Sequence, residues 1–250
     1  MPVHIHHFVI SCKNPKDTCQ QFCRKFAFRQ FAICNVEGKG VKIAAKITDE
    51  IVIVFEQRLT SARRDTVYDV ALAMDNLSDR YTQAVNNGAD FIQPLTRIKD
   101  QNGYVDYAIV KVPVGNIQHT LLDMSHYHGQ FLPGYQPIAQ NGPVDTDHRL
   151  TSIDHVTCVC HQNTTVPLLQ WYQKCFNFTR FTINADEEDD GYRLNDLHIK
   201  MIAAQYWLCA EQGIQSLNGH FKFVLAEPLD ITGNYLPLEW GCNVYFITAH

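Results

Sequence analysis

The histidine in the stretch "SIDHVTCVC", residues 152–160, is the first candidate for metal chemistry. The alternation of this apolar run predicts a β-strand on which Ile153, His155 and Thr157 share one face. An imidazole on the inner face of a curled sheet can bind a metal ion, although a lone histidine in an apolar strand is more often a core residue. His155 is therefore a metal-ligand candidate only if other parts of the chain supply its partners.

Two further polar segments invite a functional interpretation. His126 and His128 flank Tyr127 in a predicted loop, and the acidic run "DEEDD" occupies residues 186–190. Calcium loops need a glycine and oxygen ligands at fixed spacing, and this acidic run lacks that pattern. We interpret both segments as solvent-exposed loops.

Composition and charge exclude several classes of protein. The formal net charge is −5 and lysine and arginine are not clustered, which argues against nucleic acid as a partner. No apolar run is long enough for a membrane span, and the N-terminus has neither a signal-peptide nor a transit-peptide pattern. The cytoplasm is the expected compartment, with the mitochondrion as the alternative. The nine cysteines include no CxxC pair and are expected to be buried, reduced thiols.

The chain contains an internal repeat. Residues 5–31 and 153–181 share one plan of apolar and aromatic positions. The aligned pairs, with a two-residue shift in the helix, include Ile5 with Ile153, His7 with His155, Cys12 with Cys160 and Phe26 with Phe176. Two homologous modules are predicted, residues 3–135 and 152–250, joined by a linker over residues 136–151 that contains proline and glycine.

Each module is built from strand-helix-strand-strand-strand units. In the first unit, Asn14 and Pro15 form a helix N-terminus, and a face of cysteine and phenylalanine ends near Phe26. The first module holds two such units and the second module shows one. The predicted elements are strand 3–10, hairpin 41–47 and 51–57, strand 67–74, strands 107–114 and 116–123, strand 152–160, helix 165–176, and strands near 178–183, 192–202 and 220–228.

Three motifs carry a family resemblance. "HTLLDMSHYHGQFLPGY" (119–135), "YDVALAM...AVNNGADFIQP" and "SIDHVTCVC...LLQWYQKCFNFTRF" resemble segments of the 4-hydroxyphenylpyruvate dioxygenase family, in particular its dioxygenase-like members. The match runs from residue 3 to about residue 229. The resemblance implies an α+β protein of the vicinal-oxygen-chelate fold, in which repeated βαβββ units curl around a metal site.

The resemblance also implies a chemistry. The family holds Fe(II) with two histidines and one carboxylate, and oxidises an aromatic 2-oxo acid with O₂ in tyrosine catabolism. The product would be homogentisate or 4-hydroxymandelate, and a homodimer is one option for the assembly. The alternative is a catalytically inactive binding protein of the same fold. A third hypothesis, a glyoxalase or ring-cleavage enzyme, is disfavoured by "FLPGY" at residues 131–135.

The ligands transfer only in part. By this resemblance His155 matches the first histidine, Val244 occupies the position of the second, and no glutamate matches the third. Glu227 and Glu239 are the late glutamates, and Ala226 replaces the asparagine of the family's "NEP". We expect a C-terminally incomplete second module and little turnover by the chain as given.

A vestigial site in the first module is a further hypothesis. His7 holds the repeat position of His155, and Asp69 holds that of the second histidine. On the predicted strand, His4 and His6 face away from His7. The family's first module is structural, so the resemblance does not imply a metal there.

Overall fold

A computed structural model describes residues 3–37, 40–57, 65–139, 152–206, 222–229 and 243–249. They form two β-sheets and three α-helices. Sheet A consists of β1 (His4–Ser11), β2 (Arg29–Val36), β3 (Gly40–Lys46), β4 (Val52–Glu56), β5 (Thr66–Ala73), β6 (Phe91–Asp100), β7 (Gly103–Lys111), β8 (Gln118–Asp123) and β9 (Gln136–Pro137). Sheet B consists of β10 (Ser152–Val159), β11 (Phe178–Phe181), β12 (Tyr192–Leu194), β13 (Ile199–Tyr206), β14 (Lys222–Pro228) and β15 (Asn243–Ala249). The helices are α1 (Pro15–Phe26), α2 (Leu77–Asn86) and α3 (Thr165–Phe176).

The two sheets follow the same pairing plan. In sheet A the order is β6-β7-β8-β5-β1-β4-β3-β2-β9, and β1 is parallel to β4 and antiparallel to β5. In sheet B the order is β11-β13-β14-β10-β15, with β12 paired to β13. Strand β10 is parallel to β14 and antiparallel to β15. Strand β15 therefore holds the place beside β10 that β5 holds beside β1.

Local sequence signals explain the start of α1. The Asn14 side chain accepts hydrogen bonds from the backbone N–H groups of Lys16 and Asp17, and Pro15 occupies the first turn. Both features were predicted from the sequence. The predicted apolar face is wrong at its end, because Phe26 is 51% exposed while Cys19 is fully buried.

Two connections differ from the sequence prediction. Residues 192–202 were expected to form one strand, but Asn195–Leu197 form a 3-10 turn and His198 has a left-handed φ of 52°. This turn separates β12 from β13. The start of the predicted linker, Gln136 and Pro137, pairs with β2 at the edge of sheet A. Residues 140–151 of that linker lie outside the described residues.

The helices α2 and α3 pack together and join the two sheets. One apolar cluster contains residues from both sheets, for example Phe8 and Leu121 of sheet A and Phe223 of sheet B. Polar bonds cross the same boundary. The Arg80 guanidinium donates to the Tyr206 hydroxyl at 2.5 Å and lies over that ring at 5.0 Å.

The sequence predicted that all the cysteines are reduced thiols. This prediction is wrong for Cys158. Six of the described cysteines are free, namely Cys12, Cys19, Cys23, Cys34, Cys160 and Cys175. Cys158 is disulfide-bonded. Burial raises the pKa of the Cys12 thiol to about 11, so this free thiol is protonated at neutral pH. Within the described ranges, no helix is both long and apolar enough to cross a membrane.

Candidate functional site on the inner face of sheet B

His155 lies on the face of sheet B that is turned away from the helices, here called the inner face. Its strand neighbours Val156 and Cys158 are buried in the core that the helices cover. Because side chains alternate along a strand, His155 and Thr157 face the other way, as the sequence predicted. Both of these inner-face residues are only partly buried.

Four polar residues from neighbouring strands line up across this inner face. The register pairs Thr179 with Gln205, Gln205 with Lys222, and Lys222 with His155. We call these four residues the polar row. Paired residues on the same face of adjacent strands have Cβ atoms about 5 Å apart, so the row is continuous.

A second row follows two residues further along each strand. It consists of Phe181, Ala203, Val224 and Thr157, in the same strand order. We call it the apolar row, since three of its four members are hydrophobic. The inner face of sheet B thus carries the polar row and, next to it, the apolar row.

The described residues do not complete an iron site around His155. Fe(II) oxygenases need two histidines and one carboxylate on one face. Among the residues that the structure describes, no three His, Cys, Asp or Glu side chains are grouped so that they could hold a metal. The register places Ile247 opposite His155, whereas Val244 lies opposite Cys158. Glu239 and His250 lie outside the described residues.

Glu227 lies on the opposite, helix-covered face of sheet B, and its contacts there give it a structural role. Its carboxylate lies 2.7 Å from the Lys200 ammonium and accepts hydrogen bonds of 2.9 Å from the backbone N–H groups of Thr164 and Thr165. Burial acts to raise the pKa of Glu227, but Lys200 and the Thr165 N–H outweigh it and hold that pKa below its usual value. Glu227 therefore links β14 to the start of α3.

The acidic run at 186–190 is largely exposed to solvent, as the sequence predicted, and it also forms a network of ion pairs. The Glu187 side chain is only 1% exposed and lies 2.7 Å from the Arg180 guanidinium. Asp190 lies 2.8 Å from Arg193 and 3.3 Å from Lys200. The sequence did not indicate these ion pairs, because the arginines that form them, Arg180 and Arg193, lie on β11 and β12 of sheet B. His126 and His128 are exposed, as predicted.

The inner face of sheet A holds the hypothetical vestigial site. Asp69 is buried and accepts hydrogen bonds from the Thr120 N–H at 2.9 Å, the Thr120 hydroxyl at 2.6 Å and the Gln118 amide at 2.8 Å. Burial raises the pKa of Asp69. His7 is also buried, and its ring lies 5.3 Å from that of Phe131. These contacts give both residues structural roles.

The "FLPGY" segment packs onto this inner face of sheet A. The Phe131 ring lies 5.3 Å from that of Phe31 and 4.9 Å from that of Tyr135. Val54 belongs to the same buried cluster. Aromatic side chains thus fill the inner face of sheet A, whereas the inner face of sheet B carries the polar row.

Comparison with solved structures identifies the fold. A solved mutant of 4-hydroxymandelate synthase from Streptomyces coelicolor matches with a TM-score of 0.66 and 16% identity, covering 91% of this chain and 63% of that chain. A xylose isomerase-like TIM barrel/4-hydroxyphenylpyruvate dioxygenase fusion protein matches with a TM-score of 0.56 and 12% identity, covering 98% of this chain and 36% of the other. The chain has the α+β vicinal-oxygen-chelate fold.

Sequence comparison relates the chain to a family of dioxygenases. No protein-family model matches the chain. The 4-hydroxyphenylpyruvate dioxygenase of Xenopus tropicalis is 31% identical over 192 residues, 70% of this chain and 48% of the relative. The 4-hydroxyphenylpyruvate dioxygenase-like protein of Homo sapiens is 30% identical over 120 residues, 45% of this chain and 31% of the relative. The chain is a relative of the 4-hydroxyphenylpyruvate dioxygenase family, and it spans about half the length of the dioxygenases that it matches.

Sequence reasoning missed three members of the polar row. Thr179, Gln205 and Lys222 lie on three different strands and share no local motif. One signal was available: in "IKMIAAQY", alternation places Gln205 on the face opposite Ile202 and Ala204. A glutamine on a strand that is otherwise buried could have marked that face.

Proposed function

We propose that the chain belongs to an Fe(II)-dependent dioxygenase of the 4-hydroxyphenylpyruvate type. The reaction is the oxidative decarboxylation of an aromatic 2-oxo acid by O₂, to 4-hydroxymandelate or homogentisate. His155 is the iron ligand that this stretch of chain contributes. The sequence relation over 70% of the chain carries the proposal, and the inner-face position of His155 supports it.

The proposal assigns different roles to the two modules. Residues 3–135 form a structural module, residues 136–151 a linker, and residues 152–250 the metal-bearing module. The packing supports this division, because Phe131 and its aromatic neighbours fill the inner face of sheet A. Since the described residues bring only one metal-binding histidine to the inner face of sheet B, we expect little turnover from residues 1–250 alone. The cytoplasmic location and the homodimer stay predictions.

Metal titration with variants tests the role of His155. Co(II) is titrated anaerobically into residues 1–250 and followed by calorimetry and visible absorption. Weak binding is expected, and His155→Ala should abolish it. The matched control is His161→Ala, which removes an exposed histidine two residues beyond β10. Binding that survives in His155→Ala would remove this residue from the site.

Oxygen consumption tests the expectation about turnover. Purified residues 1–250 are mixed with Fe(II), ascorbate and 4-hydroxyphenylpyruvate in an oxygen electrode. O₂ uptake close to the rate without protein is expected. Substantial uptake that depends on both iron and protein would show that residues 1–250 are active and that our expectation is wrong.

One observation favours a second candidate function, a catalytically inactive binding protein. Lys222 is the register partner of His155, so a cationic side chain neighbours the proposed metal ligand. A neighbouring ammonium disfavours metal binding by electrostatic repulsion. If Co(II) does not bind residues 1–250 while an aromatic acid does, this second candidate replaces the first.

A further inference from the structure

Two free thiols lie one helical turn apart on α1. Cys19 and Cys23 are both free, and four positions separate them within this helix. Side chains at this spacing share one face of an α-helix, with Cβ atoms about 5–6 Å apart. A single atom placed over that face can therefore bond to both sulfur atoms.

The two thiols lie where the core under α1 meets solvent. Cys19 is fully buried, whereas Cys23 is half-buried and packs against the same apolar cluster. Between them in the sequence, the Phe22 ring lies 5.1 Å from that of Phe55 and packs α1 against sheet A. A small reagent can thus reach Cys23 from solvent and then bond to the sulfur of Cys19.

The protonation state of Cys19 selects among the reagents that bind thiols. Burial raises the pKa of its thiol well above the usual value, and the adjacent Cys23 thiol raises that pKa further. Zn(II) and Co(II) bind thiolates and must first displace this proton, and peroxides also react with the thiolate. A site that contains this protonated thiol therefore favours a reagent that reacts with S–H groups directly.

Compounds of trivalent arsenic react in this way. An As–OH group condenses with a thiol: an As–S bond forms, the As–OH and S–H bonds break, and the hydroxyl leaves with the thiol proton as water. Arsenic stays trivalent, so the step needs no oxidant or reductant. Once one thiol is bound, the second condensation is intramolecular, and a thiol on the same helix face reacts at a high effective concentration.

We propose that Cys19 and Cys23 form a dithiol site for a compound of the class R–As(OH)₂, which bridges two successive turns of α1. Two condensations bind the arsenic to both sulfur atoms and release two water molecules. The bridge joins positions that the folded helix already holds together, so it should stabilise α1. The site goes beyond the proposed function, because it lies under the helix on sheet A and does not involve the proposed iron ligand His155 of sheet B.

Phenylarsine oxide, which hydrates to a compound of this class, is the probe. It is added in equal amount to residues 1–250, and peptide mapping by mass spectrometry locates the arsenic. The tryptic peptide of residues 17–24 contains both thiols of the proposed site and no other cysteine. We expect arsenic on this peptide, with both thiols protected from alkylation and with release by excess ethanedithiol. Arsenic bound only at other cysteines would overturn the proposal.

A variant and a matched control then test the second thiol. In Cys23→Ser only one thiol remains on α1, and binding of arsenic to the peptide 17–24 should weaken at least tenfold. The control is Cys34→Ser, which removes a half-buried free thiol from β2 and should leave this binding unchanged. Equal binding by a folded Cys23→Ser variant would contradict the proposal. If this variant does not fold, the peptide map of the unaltered chain decides the outcome.

Thermal unfolding distinguishes a site of the folded protein from a reaction with the unfolded chain. A ligand that prefers the folded state raises the midpoint of unfolding. Phenylarsine oxide should raise the midpoint of the unaltered chain and of Cys34→Ser, but not that of Cys23→Ser. A lowered midpoint of the unaltered chain would show that arsenic binds unfolded α1, and the proposal would then be wrong. Neither result changes the interpretation of the Co(II) titration, which reports on His155.

Discussion

His119 of β8 and Tyr172 of α3 form a buried hydrogen bond of 2.7 Å. This bond connects the core of sheet A with the core of sheet B. The other ring nitrogen of His119, Nδ1, lies 2.9 Å from the backbone carbonyl oxygen of Val70. A carbonyl can only accept, so Nδ1 carries the proton and Nε2 accepts from the Tyr172 hydroxyl. The contact between sheet A and α3 therefore requires the neutral tautomer of His119 that carries its proton on Nδ1.

Removing the Tyr172 hydroxyl should destabilise this contact. In Tyr172→Phe the ring packing is kept, but the buried Nε2 of His119 loses its donor. We expect a loss of about 1–3 kcal/mol in the free energy of unfolding, measured by urea denaturation. Tyr81→Phe is the matched control, because the half-buried Tyr81 ring packs on Phe91 at 4.5 Å and its hydroxyl bonds to no residue in the described ranges. A Tyr172→Phe variant as stable as Tyr81→Phe would contradict this role.

The same contact predicts a pH dependence of stability. Burial lowers the pKa of His119 from 6.5 to about 4. Between these two pH values, the unfolded chain binds a proton at His119 and the folded protein does not. The contribution of His119 is present above pH 6.5 and is lost as the pH falls from 6.5 to 4. The loss is about 3 kcal/mol at its largest.

Unfolding free energies measured between pH 4 and pH 7.5 test this dependence. His6 has a pKa of about 4 for a related reason, burial and then the nearby His4, and it acts in the same direction. The comparison is therefore made between variants. His119→Gln should flatten the pH dependence, and His161→Gln, at an exposed position, should leave it unchanged. If both variants keep the slope of the unaltered chain, His119 does not titrate as expected.

Phe131 should be a major stabilising residue of sheet A. Its ring contacts those of His6, His7, Phe31 and Tyr135 at centroid distances of 4.9–5.4 Å. Phe131→Ala should cost about 3–5 kcal/mol, because it leaves a cavity in a closed cluster. Chemical denaturation measures the cost. Ile92→Ala, at a side chain that is 56% exposed, should change stability by less than about 0.5 kcal/mol.

Glu227 should stabilise sheet B rather than bind metal. Glu227→Gln keeps an acceptor for the N-terminus of α3 but leaves the largely buried Lys200 with only the longer contact to Asp190. We expect a loss of about 3 kcal/mol, with Co(II) binding unchanged. Glu188→Gln is the control, because Glu188 pairs with Arg193 at an exposed position and should cost less than about 1 kcal/mol. Loss of Co(II) binding in a folded Glu227→Gln variant would instead give Glu227 a role at the metal.

Local patterns in the sequence were sufficient for much of the secondary structure. The Asn14 cap, the β3–β4 hairpin and the span of α3 depend on residues within one or two turns, so composition and spacing predicted them. The inner-face direction of His155 followed from strand alternation alone. The family was also recognisable, because motifs such as "FLPGY" are contiguous in the chain.

Tertiary structure alone decided what surrounds those residues. The polar row brings together Thr179, Gln205, Lys222 and His155 from four strands, and a one-residue change of register would move any of them to the opposite face. The packing of Phe131 onto sheet A and the pairing of Glu227 with Lys200 likewise join distant segments. Register and long-range packing result from many weak contacts summed over the whole sheet, and no local stretch of sequence contains them.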